Sequence, residues 1–151
     1  METPQLKELR RAYGFDEVAI VPGNATVNPE LADTSFSIDG TSLSVPILAA
    51  GMDAVVSPDF AVRMHELGGL AVMNLEGVQT RFDEPSEALE RIVNSPQEEV
   101  TAVLQKVYST PVKEELIGVR IQEIKRDGAK CAVSVTPANT KRLAPIAADA
   151  G

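Results

Sequence analysis

Three short stretches hold the residues whose types and placement could do chemistry: Ala50-Gly51-Met52-Asp53, Asn74-Leu75-Glu76-Gly77 and Ser134-Val135-Thr136-Pro137. Each closes an apolar run that reads as a β-strand, and the carboxyl ends of parallel strands are where sheets and barrels place their ligands. Two carboxylates, an amide and two hydroxyls there could orient a polar ligand, and Met52 offers a polarizable apolar surface beside them. Each residue also has a structural reading. Asp53 could equally help cap the helix expected to start near Ser57. Met52 could be core filling, Asn74 and Glu76 could form a solvated turn, and Ser134 could face a neighbouring strand. Cys131 opens its strand, away from that face, and reads as an inert apolar thiol. His65 falls mid-helix and reads as a surface residue. The phosphate-cradling patterns GxGxxG and GxxxxGK[ST] do not occur in the sequence, nor do HExxH, CxxC or GxSxG.

The elements that must position these residues follow from the apolar patterning. Phe15, Val18, Ile20 and Val21 suggest a short strand stopped by Pro22-Gly23, after a polar arm, and 23–44 reads as an irregular excursion with a strand at 34–38. VPILAAGM over 45–52 is a near-continuous apolar run, the pattern of a strand covered on both faces. Ser57-Pro58 then starts a helix, with serine as N-cap, proline at the first helical position and Asp59 near the positive end of the dipole. Phe60, Met64 and Leu67 recur at helical spacing before Gly68-Gly69 stops it, and LAVMNL over 70–75 is the next strand. This is a βαβ unit, whose crossover is almost always right-handed. Helices are expected at 86–93 and 98–108, and a third from Thr110-Pro111 with Leu116, Ile117, Ile121 and Ile124 inward. A strand follows over 129–137, then a helix from Asn139 with a kink at Pro145. The outcome is an α/β chain, mainly parallel, with about three βα units.

Composition narrows the class. The chain has 151 residues, of which 44% are hydrophobic and only 4% aromatic with no Trp, so its core must come from aliphatic side chains and Met. Lys and Arg number 14 against 22 Asp and Glu, a net charge of −8 that disfavours nucleic acid or an anionic membrane as partner. One cysteine excludes an intramolecular disulfide, and one histidine excludes a His-rich metal site. With no apolar run near the roughly 18 residues of a membrane span, a cytoplasmic protein is expected.

FDEVAIVPGNATVNP, followed by VPILAAGMDAVVSPDFAVRMHELGGLAVMNLEG, resembles the opening of the IMP dehydrogenase/GMP reductase family across residues 14–77. NLEGVQTRF and AVSVTP resemble a short branch of that family, in which a helical segment over 82–128 stands where most members insert a regulatory CBS pair. The resemblance implies a (β/α)8 TIM barrel of which this chain is the N-terminal part, with an arm at 1–14 and an incomplete barrel domain at 15–151. It also implies a homotetramer that oxidises IMP to XMP with NAD. In the family a cysteine attacks C2 of the purine, hydride leaves to the nicotinamide, and water hydrolyses the thioimidate. The catalytic loop also binds a monovalent cation such as potassium.

Carried over by position, Met52 matches the methionine beside the purine. Ala50 stands where a serine usually helps hold the nucleotide, Gly51 replaces Pro, Ala or Asn, and Asp53 matches the motif's aspartate, a loop-shaping residue. Asn74 falls on the cofactor side, where the family often has His, and Ala54 replaces the usual Thr. The Gly-rich catalytic loop ending in Cys-Thr, the phosphate-binding glycines and the flap lie downstream in the family. No catalytic residue or metal ligand is therefore expected here, and Cys131 does not match the nucleophile. A barrel needs eight βα units and about 250 residues, so the chain is expected to be inactive alone. The alternatives are a GMP reductase of the same family and a non-catalytic part-barrel that serves as an interaction module.

Overall fold

The computed structural model describes residues 10–38 and 40–151. Residues 1–9, most of the expected N-terminal arm, lie outside the described residues. The chain divides into two compact units, one ending at Asp33 and one starting at Thr34.

In the first unit, residues 10–33 form no strand. A turn places the Glu17 N–H 3.0 Å from the Gly14 carbonyl. A 3-10 turn spans Pro29–Leu31, and the Asn28 side chain accepts from the Glu30 N–H. The strand expected over Phe15–Val21 is therefore corrected. Its residues have the right types, but a strand needs a hydrogen-bonding partner along its length. The described residues of this unit supply none, and Phe15 and Ile20 are both 99% exposed.

The second unit opens with a hairpin, β1 (Phe36–Ile38) antiparallel to β2 (Thr41–Leu43), with Gly40 at φ +76 in its turn. The expectation of one strand at 34–38 missed its partner, although Asp39-Gly40 is a strong hairpin dipeptide. A parallel sheet follows in the order β3 (Leu48–Ala49), β4 (Leu70–Asn74), β5 (Ala132–Ser134). Leu48 pairs with Leu70 and Val72 with Ala132.

The first apolar run thus yields only two paired residues rather than a strand over 45–52. Pro46 has no N–H to donate, the Ile47 N–H turns back to the Val45 carbonyl at 2.8 Å, and the Met52 N–H turns back to Ala50 at 2.7 Å. Leu48 is 53% exposed, so this strand is not covered on both faces. The strand expected over 129–137 likewise shortens to three residues.

The described residues form five α-helices: α1 (Pro58–Glu66), α2 (Pro85–Val93), α3 (Val100–Ser109), α4 (Glu114–Lys125) and α5 (Thr140–Asp149). The Ser57 side chain accepts from the Phe60 N–H at 3.2 Å, the N-cap its position called for. α4 begins at Glu114 rather than at Thr110-Pro111: the chain is still extended at Lys113, at φ −90, ψ 108, where its N–H donates to the Thr80 carbonyl at 2.8 Å instead of to a helical turn. α5 runs through Pro145.

Ala71 and Met73 of β4, and Leu75 just after it, alternate inward beneath α1 and join Ile117, Ile121, Ile124 and Leu143 in the main core. Each large aliphatic side chain buried this way contributes about 1.5–3 kcal/mol. A smaller cluster of Val78, Ala88 and Val107 holds α2 and α3 against the loop after β4. Arg120 of α4 clamps that loop, donating to the carbonyls of Gln79, Phe82 and Asp83 while pairing with Glu123. Among the described residues, no helix is long and apolar enough to cross a membrane.

Candidate functional site

The three stretches singled out by sequence come together at the carboxyl ends of β3, β4 and β5. Ser134 shows why residue 51 is glycine: a Cβ there would sit 2.5 Å from the Ser134 hydroxyl and 3.3 Å from the Val72 carbonyl. The Ser134 hydroxyl therefore lies against the backbone that follows β3, two strands away in the sheet order. Beyond Gly51, the Met52 carbonyl accepts from both Val55 and Val56 at 2.9 Å, which folds the chain into a turn leading to α1. Ala50 is exposed and Met52 is 55% exposed, so the methionine is not core filling.

Asp53 caps a different element from the one its sequence position suggested. Ser57 already caps α1, and Asp53 reaches across to the loop after β4, where its Oδ2 accepts from the Val78 N–H at 3.0 Å. The same oxygen accepts from the Tyr108 hydroxyl on α3. Its Oδ1 is buried without a hydrogen-bond partner. Gly77 leaves room for that oxygen; a Cβ at residue 77 would come 1.7 Å from it. Burial, and next the hydrogen bond to the Asp53 carboxylate, push the Tyr108 phenol up to about 12.

Glu76 ties β4 to β5. Its carboxylate accepts from the Thr136 N–H, the Thr136 hydroxyl and the Asn139 amide. The Thr136 backbone N–H is the main reason its carboxyl lies below the usual value; burial opposes this, and the side chains of Asn139 and Thr136 and the charge of Arg81 add to it. Asn74 accepts the Glu76 N–H at 3.0 Å, so its side-chain oxygen serves the local turn. Arg81 closes the arrangement. It donates to the carbonyls of Glu76, Tyr108 and Thr110, and its guanidinium lies 5.7 Å from the Tyr108 ring centroid.

This face presents groups that can bind and orient a ligand. Both acidic side chains are committed as hydrogen-bond acceptors. Cys131 precedes β5 at the opposite end of the strand from Ser134, and burial pushes its thiol up, away from the reactive thiolate. No group of three His, Cys, Asp or Glu residues suited to a metal ion occurs among the described residues. His65 is half-buried in the last turn of α1, away from these loops.

Sequence reasoning did not find Tyr108, Arg81 or Asn139. Asn139 lies 63 residues from the carboxylate it meets and Tyr108 lies 55 from its own, separations at which no local pattern signals contact.

Comparison with known proteins adds an independent line. Residues 12–144 match the family model described as the IMP dehydrogenase / GMP reductase domain. An uncharacterized oxidoreductase of Mycolicibacterium smegmatis is 33% identical over 147 residues, covering 94% of this chain and 39% of that protein. An inosine-5'-monophosphate dehydrogenase of Methanocaldococcus jannaschii is 39% identical over 70 residues, 46% of this chain and 14% of that protein. The crystal structure of an IMP dehydrogenase/GMP reductase-like protein from Corynebacterium glutamicum superposes with a TM-score of 0.84 at 32% identity, covering 95% of this chain and 40% of that one. The chain thus spans about two fifths of the first of these relatives and of this solved structure.

Proposed function

The chain belongs to the IMP dehydrogenase/GMP reductase family, and from that premise we propose that it forms the substrate-side wall of an IMP dehydrogenase, which oxidises IMP to XMP with NAD. The observation that carries this reading is the loop 50–53 at the carboxyl end of β3, with a solvent-facing Met52 at the position the family places beside the purine.

The part assigned to these residues is binding and orientation. The Met52 thioether offers a polarizable surface to a flat heterocycle. Ala50 brings no hydroxyl, so the nucleotide's phosphate and ribose draw their hydrogen bonds from elsewhere. Asp53 holds the loop and stays out of the chemistry, because one oxygen is taken by Val78 and Tyr108 and the other is buried. The residues present do not by themselves fit a dinucleotide. The Asn74 side-chain oxygen is spent on its own turn, and Glu76 places a saturated negative carboxylate at the same strand end. The nucleophile, the potassium site and the tetrameric assembly belong to the same proposal and rest on family membership alone.

The test is turnover by the protein that carries this chain, assayed with IMP and NAD and, separately, with GMP and NADPH. Formation of XMP with reduced cofactor is the expected result; turnover of GMP alone moves the protein to the reductase side of the family. Met52→Ala should raise the KM for IMP on the order of tenfold, equivalent to about 1.4 kcal/mol, with little change in kcat. An unchanged KM removes Met52 from the site.

A further inference from the structure

We propose that Tyr108 is a positioning residue for the substrate-side loop: through its hydrogen bond to Asp53 it makes the placement of Met52 depend on helix α3. The proposal rests on the reading of that loop given above and deepens it.

Tyr108 is itself fixed from the other side. Arg81 donates to the Tyr108 and Thr110 carbonyls at the end of α3 and to the Glu76 carbonyl after β4, and its guanidinium lies by the Tyr108 ring. This arginine satisfies carbonyls that a helix end leaves open. The Tyr108 backbone and ring are thus held by Arg81 independently of Asp53.

Asp53 is held less securely. One oxygen is buried with no partner, which leaves it uncompensated for the water it has lost. Only the other keeps the side chain in place, through Val78 and Tyr108. Removing the phenol O–H leaves a single N–H donor to hold a carboxylate that gains by returning to water. Met52 is the neighbouring residue, and its backbone anchors the turn into α1, so movement of Asp53 carries Met52 with it. The helical segment after β4 therefore sets the shape of the βα loop before α1.

Tyr108→Phe removes the hydroxyl and keeps the ring. In the full chain, methyl-labelled methionine reports on Met52, whose resonance is assigned from its loss in Met52→Ala, and hydrogen exchange reports on the Val78 amide. Tyr108→Phe should move the Met52 resonance and speed exchange at Val78 on the order of tenfold. Ser109→Ala, which removes a neighbouring contact within α3, should change neither. If Tyr108→Phe leaves both signals in place, the proposal is overturned.

A second arm ties the loop to substrate. In the active protein, Tyr108→Phe should raise the KM for IMP severalfold and leave kcat nearly unchanged, which a general loss of stability does not do. A moved resonance with an unchanged KM overturns the role in substrate positioning. If the unmodified protein turns over no IMP, the proposed function fails, and the link between Tyr108 and the loop is still decided by the Met52 and Val78 signals.

Discussion

Glu76 gathers three donors from the loop after β5, and its ionised form is the one they favour. Its folded pKa lies below the ordinary value of 4.5. A carboxyl with a depressed folded pKa adds stability that is fully present above its unfolded pKa and is lost as pH falls through the folded one. Denaturation midpoints of the unmodified chain and of Glu76→Gln should therefore differ most at about pH 7 and converge below about pH 4.5. A gap that persists in acid would show that the carboxylate's charge is not what the clasp uses. Asp53 teaches a related lesson. The sequence placed it beside a helix start that invited a cap, but Ser57 performs that role, and Asp53 instead serves the turn at Val78–Thr80, 25 residues away. Which donor a carboxylate meets is set by the fold, so a local pattern names the candidate acceptors and not their partners.

At the level of elements, α1 and β4 were legible because their signals are local: a serine-proline start and a short apolar run. Elements that depend on a neighbour were not. The apolar run before Met52 contributes two paired residues, since Pro46 and two tight turns remove the N–H groups a longer ladder needs. Phe15–Val21 has strand composition and no partner among the described residues of its unit. α5 docks on α4 through Leu143, which is fully buried, so Leu143→Ala should cost about 2–5 kcal/mol, read from urea midpoints. A loss below about 1 kcal/mol would mean that α5 is not packed as described.

For the whole molecule, the outer edges of β3 and β5 are unpaired among the described residues, and Ile47, Leu48 and Met52 are more than half exposed near one of them. Unpaired strand edges with apolar neighbours recruit other strands. Size-exclusion chromatography with light scattering should therefore show mass rising with concentration, and a monomer across the whole range would show that these edges are guarded. The sequence alone determined the α/β class, the order of the βα units, the serine cap of α1 and the three stretches that meet at one face, because periodicity and capping act over a few residues. Only the tertiary structure decided how long each strand is, that Asp53 answers to Tyr108, and that Glu76 binds β4 to β5. Those outcomes depend on which hydrogen-bonding groups remain open once distant segments are packed together, and no local pattern carries that information.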